Sequence, residues 1–533
     1  MSSRGPLTGA SRLRYLPLGG LGEVGINMWA LEWENKVLVV DAGLMFPQED
    51  MLGIDLVLPD ISYLLQGGKE VLGVFLTHGH EDHIGGLPYA LKKINVPVYG
   101  TRLTLGLVKP KLKEHRILRE SDLREVRVGD TVQLGPFRVE TIAVCHSIPD
   151  ATALSIETPV GRVIYTGDSE EARCAHCGLQ LHQCANCRGI AGPFERIFNE
   201  APSRIVVANF ASNIHRVQHL VRMAAQFERK VAVVGRSLQQ NFKTARELGF
   251  LSVPEGLTIP LADYERVPPS KLLLLTAGSQ GEPMSALTRF AAQRHPFINV
   301  LKDDWVVISA RPVPGNERMV HQTVNNLYRH GARVFYSEVG NVHVTGHAQR
   351  EELRDMLKAV RPRYFIPVHG EYRQLLLHSE LARETGLGVD HIAVVEDGET
   401  VDLTAEEMVR GEKVSTGLVY VDGLGVGDVE QVVLRDRRHL AEDGILVVTL
   451  TLDRDTGTVR AGPELISRGV IEPELSVRLM ADARKEVLDN IRRFAHSHTD
   501  ISLLQETIHD AVSKTVYRQT RRRPMVIPVI NEI

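Results

Sequence analysis

Cysteine is scarce in this chain, with five residues among 533. That is too few for the disulfide framework of a secreted protein. Apolar runs are also short: none reaches the roughly 18 residues that would cross a bilayer. The opening MSSRGPLTGASRLR has no apolar stretch of the kind a secretory signal requires. A cytoplasmic protein with no membrane partner is therefore expected. Excess charge of one sign is missing too, since 62 Lys+Arg stand against 66 Asp+Glu for a net −4. Bulk charge cannot draw a polyanion to this surface, so any nucleic-acid contact needs a local basic groove. Internal repeats and low-complexity tracts are absent as well. What remains is an ordinary globular balance, 43% hydrophobic and 24% charged, in a chain several times the length of a typical domain.

The organisation follows from strand and turn signals. From Leu13 to about Asp168, short β-rich runs alternate with turns: KVLVVDAG, VLGVFLTHGH, NVPVYGT, VQLGPFRVETIAVCHS and TALSIETPVGRVIYTGDS. Gly135-Pro136 and Pro159-Val160-Gly161 read as hairpin turns, each delivering its second strand to a polar residue, His146 or Asp168. From about Ser203 the texture becomes strand–helix alternation, the signature of a doubly wound α/β unit with ligands beyond the carboxyl ends of its strands. After His347 come a helix and the run YFIPV, read as a strand ending at His369. From about Glu442 a small α+β unit is expected: GILVVTLTL, two amphipathic helices near 473–496 and 500–518, and MVIPVI at the end.

Histidine is the informative count, at 21 residues. The strand VLGVFLT runs straight into His78-Gly79-His80-Glu81-Asp82-His83. Imidazoles and carboxylates packed this tightly at the exit of a buried strand suit two divalent ions held by nitrogen and oxygen. Alternation sends His78 and His80 toward one ion, and the turn into the next helix directs Asp82 and His83 toward a neighbour. His146, Asp168 and His369, each at a strand end, supply the remaining donors. Asp41, ending KVLVV, either orients a ligand from behind or is a plain turn residue before Gly43. GGLGEVG, at Gly19–Gly25, lacks the Lys of a phosphate loop and precedes a strand, so it reads as a tight connection near the metals.

These pieces resemble the metallo-β-lactamase superfamily, with its HxHxDH run and later His, Asp and His, and more closely ribonuclease J of its β-CASP branch. The resemblance rests on LPLGGLGEVGINM, VVDAGLMFP, LTHGHEDHIGG, HSIPD, FASNIHRVQ, GSQGEPMSAL, VPGNE, VHVTGHA, IPVHGEYR and RRRPMVIPVI, and covers nearly the whole chain. It implies an αββα metallo-β-lactamase sandwich (1–202 and 355–440), an inserted α/β β-CASP domain (203–354) and a C-terminal α+β domain (441–533). It implies one metal on His78, His80 and His146 and another on Asp82, His83 and His369, with Asp168 bridging. Zinc is the default for such ligands, and manganese is also admitted. The implied activity is hydrolysis of single-stranded RNA in maturation and decay, rRNA processing included, by 5′→3′ exonuclease and endonuclease action. Ser212, Asn213, His215, Arg236, Ser237 and the Gly346-His347-Ala348 turn are candidates for a 5′-monophosphate pocket, although Ser and Asn before a helix are also ordinary N-caps. By the same resemblance His347 donates a proton to the leaving oxygen or holds the scissile phosphate, while His343 either supports it or is a buried structural histidine. A homodimer or homotetramer and membership of an RNA-degradation complex are implied as well.

The chain departs from the family after Asp168. An acidic segment expected there, the partner of the catalytic His, is replaced by ARCAHCGLQLHQCANCRG. Its two CxxC pairs, Cys174/Cys177 and Cys184/Cys187, have the spacing of a four-thiolate zinc knuckle; a redox pair is the other reading. His176 and His182 can substitute for a thiolate. The departure also raises an alternative, a non-catalytic or weakly active RNA-binding paralogue.

Overall fold

The computed structural model describes residues 12–48, 50–169, 185–454, 456–471, 473–494 and 501–533. Cys174, Cys177 and Cys184 lie outside the described residues, as does the side chain of Cys187. Two compact units are formed, one from Met1–Gln48 and Leu56–Val419, the other from Glu49–Asp55 and Tyr420–Ile533.

In the first unit an eight-stranded sheet runs in the order Met408–Lys413, Glu399–Leu403, Leu13–Gly19, Met28–Trp33, Lys36–Val40, Glu70–Phe75, Val98–Gly100 and Leu123–Glu125. Its interior includes the parallel pair Lys36–Val40 and Glu70–Phe75. Val37, Leu38, Val39 and Val40 are all fully buried, as expected for a strand covered on both faces. Alternation divides them. Leu38, Val40 and Phe75 pack with Phe137, Val139, Leu154 and Ile156, which belong to a four-stranded antiparallel sheet, Thr131–Leu134 to Gly161–Tyr165. Val37, Val39 and Val74 face the other way, onto Leu87, Leu103, Leu107 and Val108 from the helices Leu87–Leu91 and Arg102–Glu114. Two sheets with a helical layer outside are thus built by period-2 patterning. The two predicted hairpins are present, and their second strands end at Ala143 and Tyr165, just before His146 and Asp168.

The inserted α/β part is a five-stranded sheet in the order Lys230–Val234, Leu272–Thr276, Ile205–Ala208, Trp305–Ile308, Arg333–Phe335. Every pairing is parallel. All five carboxyl ends therefore share one edge, where the loops carrying Ser212, Arg236, Gln280 and Ser309 begin. This is a doubly wound arrangement, as the strand–helix alternation predicts.

The run YFIPV differs from expectation. Only Phe365 makes a bridge, to Ile392, and the following residues leave the ladder. Pro367 has no N–H to donate, and the chain must enter His369 at φ 62, a left-handed conformation that a continuing strand cannot accommodate. His369 is followed by Gly370–Glu371, which pairs in parallel with Leu21–Gly22. That short pairing brings His369 beside the first glycine-rich loop.

The second unit has a three-stranded sheet in which Ile445–Leu452 lies between antiparallel Val459–Arg468 and parallel Met525–Glu532. Helices Pro473–Phe494 and Ile501–Thr520 contribute Leu479, Val487, Ile508, Val512 and Val516 to its core with Leu446 and Val448.

Candidate metal centre

The strand Glu70–Phe75 is buried to its end, and the chain then turns through Thr77 into the four-residue helix Glu81–Ile84. Glycine permits the turn to pack closely. A Cβ on Gly43 would lie 1.8 Å from the backbone oxygen of Asp82, and one on Gly79 2.6 Å from Leu107. Against this turn the fold sets His146, Asp168 and His369. Two groups of donors result, His78/His80/His146/Asp168 and Asp82/His83/Asp168/His369. Within each group the ligand atoms all lie within 4.8 Å of one another, and Asp168 belongs to both.

The outer nitrogens of these imidazoles are tied down. His146 donates Nδ1–H to the Gly346 carbonyl at 2.6 Å. His83 donates Nδ1–H to Asp41 at 2.8 Å, and His369 donates Nδ1–H to Asn27 Oδ1 at 2.6 Å. His78 Nδ1 meets the Thr77 hydroxyl at 3.1 Å, whose own hydrogen goes to Asp41 at 2.9 Å. His80 Nε2 rests on Ser147 Oγ at 3.1 Å. With hydrogens spent outward, the inner nitrogens present lone pairs, and carboxylates or carbonyls behind metal-binding histidines serve this purpose generally. The inward atoms crowd together: His80 Nδ1 is 3.1 Å from His78 Nε2 and 3.0 Å from His146 Nε2. Lone pairs at that separation repel unless a cation lies among them. The donor set therefore fits divalent metal binding.

Electrostatics agree. Burial keeps His80 neutral, with its pKa lowered to about 3, and lowers those of His78, His146 and His369 as well. Neutral imidazole is the ligating form. Burial opposes the charge on His83 too, but Asp168, Asp82 and Asp41 outweigh it and raise its pKa well above the usual range. Burial alone would raise Asp168; the surrounding His369 and His83 instead hold it well below the carboxylate range. A divalent ion would supply the positive charge that His83 provides in its place.

Asp41 is fully buried and sits at φ 58. It accepts from the Thr77 N–H at 2.8 Å, from the Thr77 hydroxyl and from His83. It is thus the shared support of one histidine in each group, not a simple turn residue.

The other candidates are distributed as follows. His347 is exposed on its turn, with Nδ1 3.8 Å from Asp168 Oδ2, and its ring centre lies 5.3 Å from that of His369 and 5.7 Å from that of His146. Gly346 abuts His146 and Ser147, and Ala348 follows, half-buried. His343 donates to the Ser309 carbonyl at 3.1 Å, and burial together with Arg216 lowers its pKa to about 4. Asn213 caps the helix Ile214–Gln226 through Arg216 N–H at 2.9 Å. Ser212 precedes it, half-buried, and the His215 N–H points to the Ser147 carbonyl at 3.4 Å. This loop therefore adjoins the donor cluster. Arg236 and Ser237 are exposed at the start of the helix Arg236–Glu247, following a strand two positions away from Ile205–Ala208 in the sheet, a separation of roughly 10 Å. Asn27, Thr77 and Ser147 are members of the site that motif reading did not single out; Asn27 lies within the quoted LPLGGLGEVGINM.

Fold and site together define a metal-dependent hydrolase of the metallo-β-lactamase superfamily. Family models agree: "Metallo-beta-lactamase superfamily" matches residues 21–180, "Ribonuclease J, beta-CASP domain" 202–327, "Zn-dependent metallo-hydrolase RNA specificity domain" 335–394, and "Ribonuclease J C-terminal domain" 432–533. Ribonuclease J2 of Bacillus subtilis is 39% identical over 548 residues, spanning 98% of this chain and 99% of that protein. Ribonuclease J 2 of Staphylococcus epidermidis is 35% identical over 549 residues, spanning 98% of each. A solved protein of unknown function from Enterococcus faecalis shares the fold over 74% of this chain and 100% of its own, at 17% identity and a TM-score of 0.50. The chain belongs to the ribonuclease J family, a class of metal-dependent ribonucleases. Among the described residues no helix is long and apolar enough to cross a membrane.

Proposed function

We propose that this protein hydrolyses single-stranded RNA with two divalent ions, as a 5′→3′ exonuclease that also cuts internally. The observation that carries the reading is the pair of donor groups sharing Asp168. His78, His80, His146 and Asp168 would hold one ion, and Asp82, His83, Asp168 and His369 the other; zinc suits the imidazoles, and the carboxylates admit manganese. When bound, such ions supply Lewis-acid stabilisation of phosphate oxygens and a nucleophile at neutral pH.

The chain's own residues do the positioning. Asp41 and Thr77 fix the rings of His78 and His83. His347, reaching out toward the cluster, is placed to pass a proton to the leaving 3′ oxygen or to hold the scissile phosphate. His343, neutral and bonded to Ser309, anchors the turn that bears it. Ser212, Asn213, His215, Gly346 and Ala348, with Arg236 and Ser237 farther along the sheet edge, form the pocket for a 5′-monophosphate. Asn213 would contribute backbone there, since its side chain already caps the helix. A phosphate pocket at a fixed distance from the ions makes cleavage count from the 5′ end.

Under this reading 1–202 and 355–440 form the metallo-β-lactamase domain, 203–354 the β-CASP domain and 441–533 the C-terminal domain. The protein works in the cytoplasm as a homodimer or homotetramer, in RNA maturation and decay and within an RNA-degradation complex. Cys174, Cys177, Cys184 and Cys187 hold an additional structural zinc, a proposal resting on their spacing alone. Digestion of matched 5′-hydroxyl, 5′-monophosphate and 5′-triphosphate RNAs, with product sizing, tests the activity. The monophosphate should be consumed fastest, and Asp82→Ala and His83→Ala should abolish cleavage. Equal rates on all three RNAs would remove the pocket; cleavage that survives both substitutions would remove the metal reading.

A further inference from the structure

Asn27 lies on the loop between Leu21–Gly22 and Met28–Trp33 and is almost wholly buried. Its backbone N–H donates to the Asp82 carbonyl at 2.9 Å, and its carbonyl accepts from Gly43 N–H at 3.0 Å. Its side chain reaches three candidate ligands drawn from distant stretches of the chain. Oδ1 accepts from His369 Nδ1–H at 2.6 Å, Nδ2 donates to Asp82 Oδ2 at 3.2 Å, and Nδ2 is also 3.2 Å from His83 Nε2. The close approach is permitted by Gly20, where a Cβ would lie 2.5 Å from Asn27 Oδ1.

Only a short amide meets these demands together. It must accept from an imidazole N–H and, through the nitrogen of the same planar group, donate to a carboxylate. Aspartate would set a further negative charge against Asp82 and lose the donor. Leucine would leave the His369 N–H and an Asp82 oxygen without these partners. None of the contacts reaches His78, His80 or His146.

We propose that Asn27 is a positioning residue for one half of the centre, holding Asp82 and His369 in the arrangement a divalent ion requires while leaving the His78/His80/His146 half untouched. The proposal rests on the two-ion reading above. Holding His369 matters because that residue sits at φ 62, a conformation carrying its own cost. The Asn27 acceptor fixes the ring so that Nε2 faces Asp168, at 3.5 Å. Support of this kind is generally worth about 10–100-fold in metal affinity.

The test is titration of the full-length, metal-stripped protein with Mn2+ alone, an ion that thiolates bind poorly, so that the four cysteines do not interfere. Wild type should take up two ions per chain. Asn27→Leu and Asn27→Ala should retain one at wild-type affinity and bind the second about 10–100-fold more weakly, with the melting temperature of the metal-free chain lowered by only a few degrees for the buried groups left without partners. Two unaltered sites in both variants would overturn the proposal. Equal weakening of both ions would also overturn it, assigning Asn27 a purely structural role. A wild type that fails to bind two ions would instead sink the two-ion reading, and the two failures are thereby distinguished.

Discussion

Asp41→Asn is the substitution whose consequences can be worked through most fully. Asn keeps the size of Asp and tolerates the positive φ of 58 found there, so the backbone need not change. The chemistry does change. The carboxylate accepts from Thr77 N–H and Oγ–H on Oδ1, and from Thr77 Oγ–H and His83 Nδ1–H on Oδ2. An amide with its oxygen toward the Thr77 N–H must place NH2 against His83. His83 Nδ1 then accepts rather than donates, and its hydrogen moves to Nε2, which points at Asp168 from 3.4 Å. The lone pair needed by the ion is lost. Loss of a supporting carboxylate of this kind costs about 10–100-fold in metal affinity, which corresponds to about 1.4–2.8 kcal/mol. In the metal-free protein, where His83 is charged, its Nδ1–H would instead face that NH2 and lose its acceptor, a cost of about 1–3 kcal/mol. Mn2+ titration followed by calorimetry reads the first effect, and urea denaturation in a chelator reads the second. Cleavage should recover when Mn2+ is raised in proportion to the lost affinity. An unchanged Mn2+ isotherm would refute the argument that Asp41 sets the His83 tautomer.

Other consequences can be measured independently. Gly43→Ala sets a Cβ 1.8 Å from the Asp82 carbonyl oxygen and 2.7 Å from the Asn27 nitrogen; both are backbone atoms, so the loss should exceed about 3 kcal/mol, and a melting temperature near wild type would contradict the packing described. His219, His343 and His378 each have a pKa lowered to about 4, first of all by burial. The unfolded chain, titrating near 6.5, binds protons that the folded chain excludes, so stability is full above about pH 7 and falls as pH drops below 6.5. Each histidine should cost about 2 kcal/mol by pH 5; urea midpoints at pH 5 and 7.5 check this, and His378→Gln should reduce the slope by its share. A mercurial should release zinc from the wild type, and the double variant Cys174→Ser with Cys187→Ser should carry less zinc per chain. An undiminished zinc count would remove the knuckle.

Much of the site was legible because its donors are local or lie at strand ends. HGHEDH announces itself by density, and the two hairpin signals place His146 and Asp168 where their strands finish. Asp41 was visible as a candidate support but equally as a turn residue; only its bonds to Thr77 and His83 decide between the two. Asn27 could not have been found by spacing, because the groups it joins, Asp82 and His369, are far from it in sequence and meet through the short pairing of Leu21–Gly22 with Gly370–Glu371. Thr77 was hidden for the opposite reason, being an unremarked hydroxyl beside a more conspicuous histidine. In the fold, period-2 alternation gave the eight-stranded and four-stranded sheets, while YFIPV misled because its apolar residues satisfy a strand pattern that Pro367 and the positive φ at His369 do not allow to continue. Asn213 shows how one residue type serves two readings: its side chain is a helix cap, and any part it plays in holding phosphate must come from its backbone.

The central claim is that Asp168 joins two sets of ligands into a single dinuclear centre. Crystals of the Mn2+-loaded protein, measured at the manganese absorption edge, test this most directly. Two anomalous peaks are predicted, one bounded by His78, His80 and His146 and the other by Asp82, His83 and His369, with Asp168 touching both. A single peak, or two peaks without Asp168 between them, would contradict the account.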